Sequence, residues 1–148
     1  MTLSDELHNI NTIFIDTTPI IYYIEDHQDF APLMTQIVND FQSDAFIAYS
    51  SVITLTEVLP KPIQKNQDGL AVKFSEFLRK GKNFNLIEIS ENIAEKAGRL
   101  RGKYLNLKAL DAIQLASAIS LEVDAFLSND KKLKQVNEIK VLLLKDYL

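Results

Sequence analysis

The sequence predicts an α/β protein whose mainly parallel central sheet is covered by helices on both faces. Three observations carry this. Short β-rich apolar runs alternate with stretches of helical period along the chain. The runs are continuously apolar rather than alternating, as strands buried on both faces are. No internal repeat, low-complexity tract or linker breaks the pattern in 148 residues, a length that suits one domain with a full core. Residues 1–148 therefore read as a single domain, with residues 1–11 as an extension before the first strand.

The elements follow in order. Residues 12–16 (TIFID) form a strand that ends in an acid. Thr18 as N-cap and Pro19 at the first helical position open a mostly apolar helix through Glu25. Residues 30–41 carry a second helical stripe, and residues 45–49 a second strand. Ser50 and Ser51 open a short helix over residues 52–59, which Pro60 and Pro62 end; Thr54 and Glu57 share one of its faces. An amphipathic helix over residues 70–78, a basic loop over 79–83 and a strand over 84–89 come next. Ser90 starts a helix with Ile93, Ala97 and Leu100 on one side, running to about Leu105. The helix over residues 110–119 is rich in alanine, with Ile113, Ala116 and Ile119 as its buried stripe and a single carboxylate, Asp111. Residues 125–128 are a strand leading into Asn129 and Asp130. A helical turn over 131–136 and a strand over 140–144 close the chain.

Composition narrows the function. There is no cysteine, which excludes a disulfide scaffold and thiolate metal sites. No apolar run is long enough to span a bilayer, and residues 1–10 lack the basic-then-apolar pattern of a signal peptide; a cytoplasmic protein is expected. The net charge of −4 argues against a non-specific nucleic-acid coat. It leaves room for a nuclease, because ligating acids lower the net charge while a local basic surface still meets phosphates. Three basic clusters are available for that: Arg79, Lys80 and Lys82; Arg99, Arg101 and Lys103; Lys131, Lys132 and Lys134. Each also reads as an ordinary solvated helix end.

In parallel sheets, sites form beyond the carboxyl ends of the strands. Four acids fall there: Asp16 ends the first strand, Glu57 follows the second, Asp130 lies just past the fourth, and Asp111 sits on the helix feeding it. Each has a plain structural account, as a cap, a turn residue, an exposed acid or the partner of an arginine. Their joint placement is what points to chemistry. Two unit charges about 5 Å apart repel by roughly 3 kcal/mol at an effective dielectric near 20, so four acids need protons or cations. Carboxylate oxygens are hard ligands that suit Mg²⁺ or Mn²⁺. An all-oxygen site of this kind fits metal-assisted attack of water on a phosphodiester. Thr17 or Thr18, and Ser128, are placed to orient a carboxylate or a water, or to act as caps.

These segments resemble the PIN domain family, and within it the stand-alone VapC-type toxins. The likeness rests on residues 14–25 (FIDTTPIIYYIE), 51–59 (SVITLTEVL), 110–119 (LDAIQLASAI) and 126–133 (FLSNDKKL), with acids spaced by 41, 54 and 19 residues. It implies a Rossmann-like three-layer α/β/α sandwich and a metal-dependent endoribonuclease. Asp16, Glu57, Asp111 and Asp130 would be the catalytic and metal-binding acids, supported by Thr17, Thr18 and Ser128. It also implies an RNA substrate such as tRNA or rRNA, a small antitoxin partner and a homodimer. Ser128 stands where threonine is frequent, a change that keeps the hydroxyl. The extension before the first strand is longer than in compact members, which leaves it a capping or partner role.

Other functions fit less well. An RNA-processing PIN nuclease outside a toxin–antitoxin pair has the same residues. A non-cleaving RNA- or protein-binding module has no use for a costly cluster of acids. A dehalogenase-type phosphatase built on Asp16 lacks the second Asp two positions on. A nucleotide-binding protein is disfavoured by the absence of any Gly-rich phosphate motif.

Overall fold

The computed structural model describes residues 1–148. Five strands, β1 (Thr12–Ile15), β2 (Ile47–Ser51), β3 (Phe84–Ile87), β4 (Ala125–Ser128) and β5 (Val141–Leu143), form one parallel sheet in the order β3-β2-β1-β4-β5. The chain winds outward from β1 to one edge, then returns to the other side of β1. The reversal lies between β1 and β4, where such sheets form their sites.

Helices cover both faces, as expected for strands without an exposed side. On one face pack α1 (Leu3–Leu7), α2 (Thr17–Ile24), α3 (Ala31–Gln42), α4 (Ile53–Val58) and α6 (Asp68–Lys80). On the other lie α7 (Glu91–Lys103) and α8 (Ala109–Leu121). The pleat divides each central strand between the two cores. Ile13, Ile15, Ala125 and Leu127 point into the first, and Phe14 and Phe126 into the second. Those two rings stack with centroids 5.4 Å apart. Alanine lets α8 lie close: Ala112, Ala116 and Ala118 are fully buried with Leu115.

Several boundaries differ from the sequence reading, each for a local reason. α2 starts at Thr17, and its N-cap is Asp16 rather than Thr18, because the Asp16 side chain accepts the Thr17 N–H. Pro19 is therefore the third helical residue, still within the turn whose N–H groups have no helical partner. β2 runs two residues later than expected, so Ser50 and Ser51 end a strand instead of opening a helix; they pair with Leu86 and Ile87. Pro60 ends α4 but also starts a further short helix, α5 (Pro60–Gln64), from its first position. On α8 the expected stripe is displaced. Ile113 and Ile119 are half-buried, while Gln114 and Ser117 are buried, because α8 is enclosed by the sheet, by α7 and by the site itself. The extension is not an appendage. α1 is closed at its start by a reciprocal Thr2–Asp5 capping box and sends Leu3 and Leu7 into the core, followed by Ile10.

Candidate active site

Asp16 is the centre of the site. It ends β1 and is 7% exposed, yet both carboxylate oxygens are engaged. Oδ1 accepts the Thr17 N–H at 2.9 Å, and Oδ2 accepts the Ser128 O–H at 2.9 Å. Ser128 ends β4, the strand paired with β1, so the register of that pair sets the bond. The same Ser128 oxygen accepts the Asp130 N–H at 3.1 Å, and the Asp130 carboxylate in turn accepts the Lys132 N–H at 3.0 Å. One hydroxyl thus ties the acid after β1 to the acid after β4.

Glu57 is held from the other side. The Thr17 O–H donates to its Oε1 at 2.7 Å. Behind Thr17 lies a buried polar cluster of Ser50, Ser51, Thr54 and Gln114. Gln114, 1% exposed, donates from Nε2 to Thr54 Oγ1 (2.9 Å) and to Thr17 Oγ1 (3.4 Å), and its Oε1 accepts the Ser51 O–H. Thr54 Oγ1 lies 3.1 Å from Thr17 Oγ1 and 2.8 Å from Ser50 Oγ. A carboxylate only accepts and an amide nitrogen only donates. The cluster therefore has one direction, from Ser51 through Gln114 to Thr54 and Thr17, ending on Glu57. No buried side-chain polar atom lacks a partner.

Electrostatics joins the fourth acid to the other three. Burial pushes the Asp16 carboxyl up to about 6, against the pull of the Ser128 and Thr17 hydrogen bonds, and the charges of Asp111 and Glu57 add to the rise. Burial also raises Asp111, followed by the charges of Asp130 and Glu57, while Lys108 and Lys132 draw it partly back. Asp16 thus feels Asp111 and Glu57, and Asp111 feels Glu57 and Asp130, so Asp111 is the link between Asp130 and the other acids at the carboxyl edge of the sheet. No three of them converge into a ready-made cage for an ion. The donor set nonetheless suits a hard divalent cation: it is all oxygen, partly desolvated and short of positive charge, and two of its carboxyls are raised for that reason.

Of the two threonines, Thr17 is the one that engages an acid. Thr18 is exposed and makes no contact with the carboxylates, because the helix starts one residue earlier than expected and turns it outward onto the rim of a neighbouring cleft.

The PIN domain family model matches residues 13–139, from the first strand to the approach of the last. The chain belongs to the PIN domain family. Solved structures with this fold include VapBC2 of Rickettsia felis bound to a fragment of promoter DNA, with a TM-score of 0.73 and 18% identity over 89% of this chain and 98% of that one. A toxin–antitoxin complex from Klebsiella pneumoniae gives 0.64 and 24%, covering 89% and 97%. VapC20 of Mycobacterium tuberculosis, described as a toxin that cleaves the sarcin–ricin loop, gives 0.67 and 14%, covering 86% and 98%. The sequence has no significant match among curated proteins.

In this PIN domain the sequence reading missed Ser50, Ser51 and Gln114. A signal existed for Gln114, the one amide in an apolar helix three residues after Asp111, on the same side. Thr54 does share a face with Glu57, and its burial behind Thr17 is the reason that face is polar.

Proposed function

We propose that this PIN domain is a metal-dependent endoribonuclease, acting as the toxin of a type II toxin–antitoxin pair and bound by a small antitoxin. The observation that carries the nuclease reading is Asp16, a buried carboxyl at the switch point of the sheet, with both oxygens hydrogen-bonded and its carboxyl raised by burial and by the charges of two further acids, Asp111 and Glu57. The likeness to toxin–antitoxin complexes and to a VapC toxin supports the toxin and its antitoxin partner.

Asp16, Glu57, Asp111 and Asp130 would hold Mg²⁺ or Mn²⁺. Such an ion, when bound, makes a coordinated water more acidic and offsets charge on a phosphoryl group. The chain's own residues do the positioning. Ser128 and the Thr17 N–H fix Asp16 in one rotamer. Thr17, backed by Thr54 and Gln114, fixes one oxygen of Glu57 and leaves the other free of hydrogen bonds. Glu57 and Asp130 are the exposed acids, Asp111 is half-buried and Asp16 is buried, so incoming phosphate meets the outer three first.

The test is cleavage of a pool of structured RNAs by purified protein, with Mg²⁺ or Mn²⁺ and with chelator, alongside Mn²⁺ binding by calorimetry. Cleavage that needs the ion, and is lost in Asp111→Asn together with Mn²⁺ affinity, is expected. Equal cleavage by wild type and Asp111→Asn would overturn the reading. Co-purification with the product of a small adjacent gene, and loss of cleavage in that complex, tests the toxin assignment.

A further inference from the structure

Beyond Asp130 the site opens into a cleft of about 820 Å³. Its floor is Tyr22 and Asn129. The Asn129 Nδ2 donates to the Tyr22 hydroxyl at 3.2 Å, and its Oδ1 accepts the Lys145 N–H at 3.0 Å, so three separate segments are pinned together. The outer wall is the loop joining α7 to α8, where Leu105 is 80% exposed and its carbonyl accepts Gln135 Nε2 at 3.4 Å.

The cleft also differs in charge from the rest of the molecule. Lys131, Lys132 and Lys145 line it, are exposed and form no ion pair. Asp130 is its one acid. A protein of net charge −4 thus carries a locally cationic channel leading to its carboxylates. The other basic clusters of the sequence are largely committed or misplaced. Lys134 pairs with Asp146, Lys103 with Glu138 and Arg99 with Glu95, and Arg101 Nε donates to the Leu107 carbonyl. Arg79, Lys80 and Lys82 lead into the amino end of β3, the edge of the sheet opposite the carboxylates, and Lys82 pairs with Asp44 there.

We propose that this cleft seats an unpaired stretch of the RNA on one side of the bond presented to the carboxylates, with Lys131, Lys132 and Lys145 neutralising its phosphates. That the polyanion is RNA rests on the nuclease reading above; the cleft itself selects a narrow, flexible polyanion. Its volume is that of a pocket for one drug-sized molecule, which suits a nucleotide or two of unpaired strand rather than a duplex. Thr18 and Asn106 on its lining supply polar groups for exposed base edges. Asp130 lines the cleft, and its N–H shares the Ser128 hydroxyl with the Asp16 carboxylate, so the cationic cleft adjoins the acids directly.

The test is binding of a labelled single-stranded RNA by Asp111→Asn protein in chelator, followed by anisotropy across a KCl series. Each lysine that neutralises a phosphate of a single strand adds about 0.7 to the slope of log K against log [salt]. The triple variant Lys131→Gln, Lys132→Gln, Lys145→Gln is expected to lower the slope by about 2 and weaken binding roughly 100-fold at 0.1 M salt. Its melting temperature should not change, since all three lysines are exposed. The triple variant Arg79→Gln, Lys80→Gln, Lys82→Gln should leave the slope unchanged, and a blunt RNA hairpin should compete poorly. An unchanged slope in the first triple variant overturns the inference. So does no binding by the parent, or displacement of the RNA by poly-glutamate at equal charge, which would mark a surface for an acidic protein segment. Wild-type protein that binds with the expected slope but cuts no RNA with Mg²⁺ or Mn²⁺ overturns the nuclease reading and leaves the cleft assignment standing.

Discussion

Between Asp16 and Glu57 the site is held by hydroxyls and an amide that water scarcely reaches. Between Asp130 and Lys145 it opens into a cleft lined by long, solvated lysines. The first flank is built from Ser, Thr and Gln, whose short side chains carry fixed hydrogen bonds. In a low-dielectric interior each such bond is stronger, and each unmade one is costly. The second flank is built from cations that lose little by moving. A site that placed charged oxygens accurately and also received a flexible polymer, as proposed, would need both kinds of construction. Here they meet at Ser128 and Asp130.

The strongest way to break this contrast is Asp16→Asn. Cleavage should fall roughly 1,000-fold, equivalent to about 4 kcal/mol of lost transition-state stabilisation. Stability should move the other way. The folded Asp16 carboxyl titrates at about 6 against an ordinary 3.8, so the native state binds the proton more tightly. Its contribution is fully present below about pH 4 and is lost as pH rises through 6, a loss on the order of 2–3 kcal/mol. Asp16→Asn should therefore melt higher than wild type at pH 7.5, with the gap closing by pH 4, as followed by circular dichroism.

Next in size is Gln114→Leu, which strips Ser51 and Thr54 of a buried partner. It should destabilise the fold by about 1–3 kcal/mol and lower kcat about tenfold or more, leaving RNA binding in the cleft unchanged. Equal losses in kcat and in binding would show that the two flanks are not independent. Ser128→Ala should lower activity by a smaller factor, about tenfold. In metal-free protein it should raise the Asp16 carboxyl still further, read by carbon NMR titration, because a hydrogen bond that favours the charged form is gone. Ser128→Thr should restore both. The smallest effect belongs to Lys134→Gln. Its exposed pair with Asp146 should leave stability within about 0.5 kcal/mol and the salt slope of RNA binding untouched.

The same division explains what was legible in the sequence. Strands buried on both faces announce themselves through runs such as TIFI and AFLS, and acids at their ends mark the edge that matters. The placement of the four acids and Ser128 at that edge could be read because each ends or follows a strand, or sits within a helix that has no other charge. The buried polar flank was harder to read. Ser50 and Ser51 look like a helix start until the pairing of β2 with β3 is known, and that pairing links residues far apart in sequence. Gln114 was visible but its partners were not, since they lie 60 and 97 residues away. The cationic cleft could not be found by grouping neighbours along the chain. Lys145 joins Lys131 and Lys132 only through Asn129, while Lys134, adjacent in sequence, is drawn off to Asp146.

The hydrogen bond from Ser128 to Asp16 spans 112 residues. The strand at the middle of the sheet is made first, and the neighbour that completes its acid is made fourth of the five. At a synthesis rate of about 5–20 residues per second, roughly 6–22 s pass between the two on the ribosome. Throughout that interval β1 lacks β4, and Asp16 lacks the hydroxyl that orients it. A chain that attacks RNA would be born beside the largest store of RNA in the cell. Its topology would keep the nascent protein harmless until β4 has emerged, and would give an inhibiting partner that much time to be waiting.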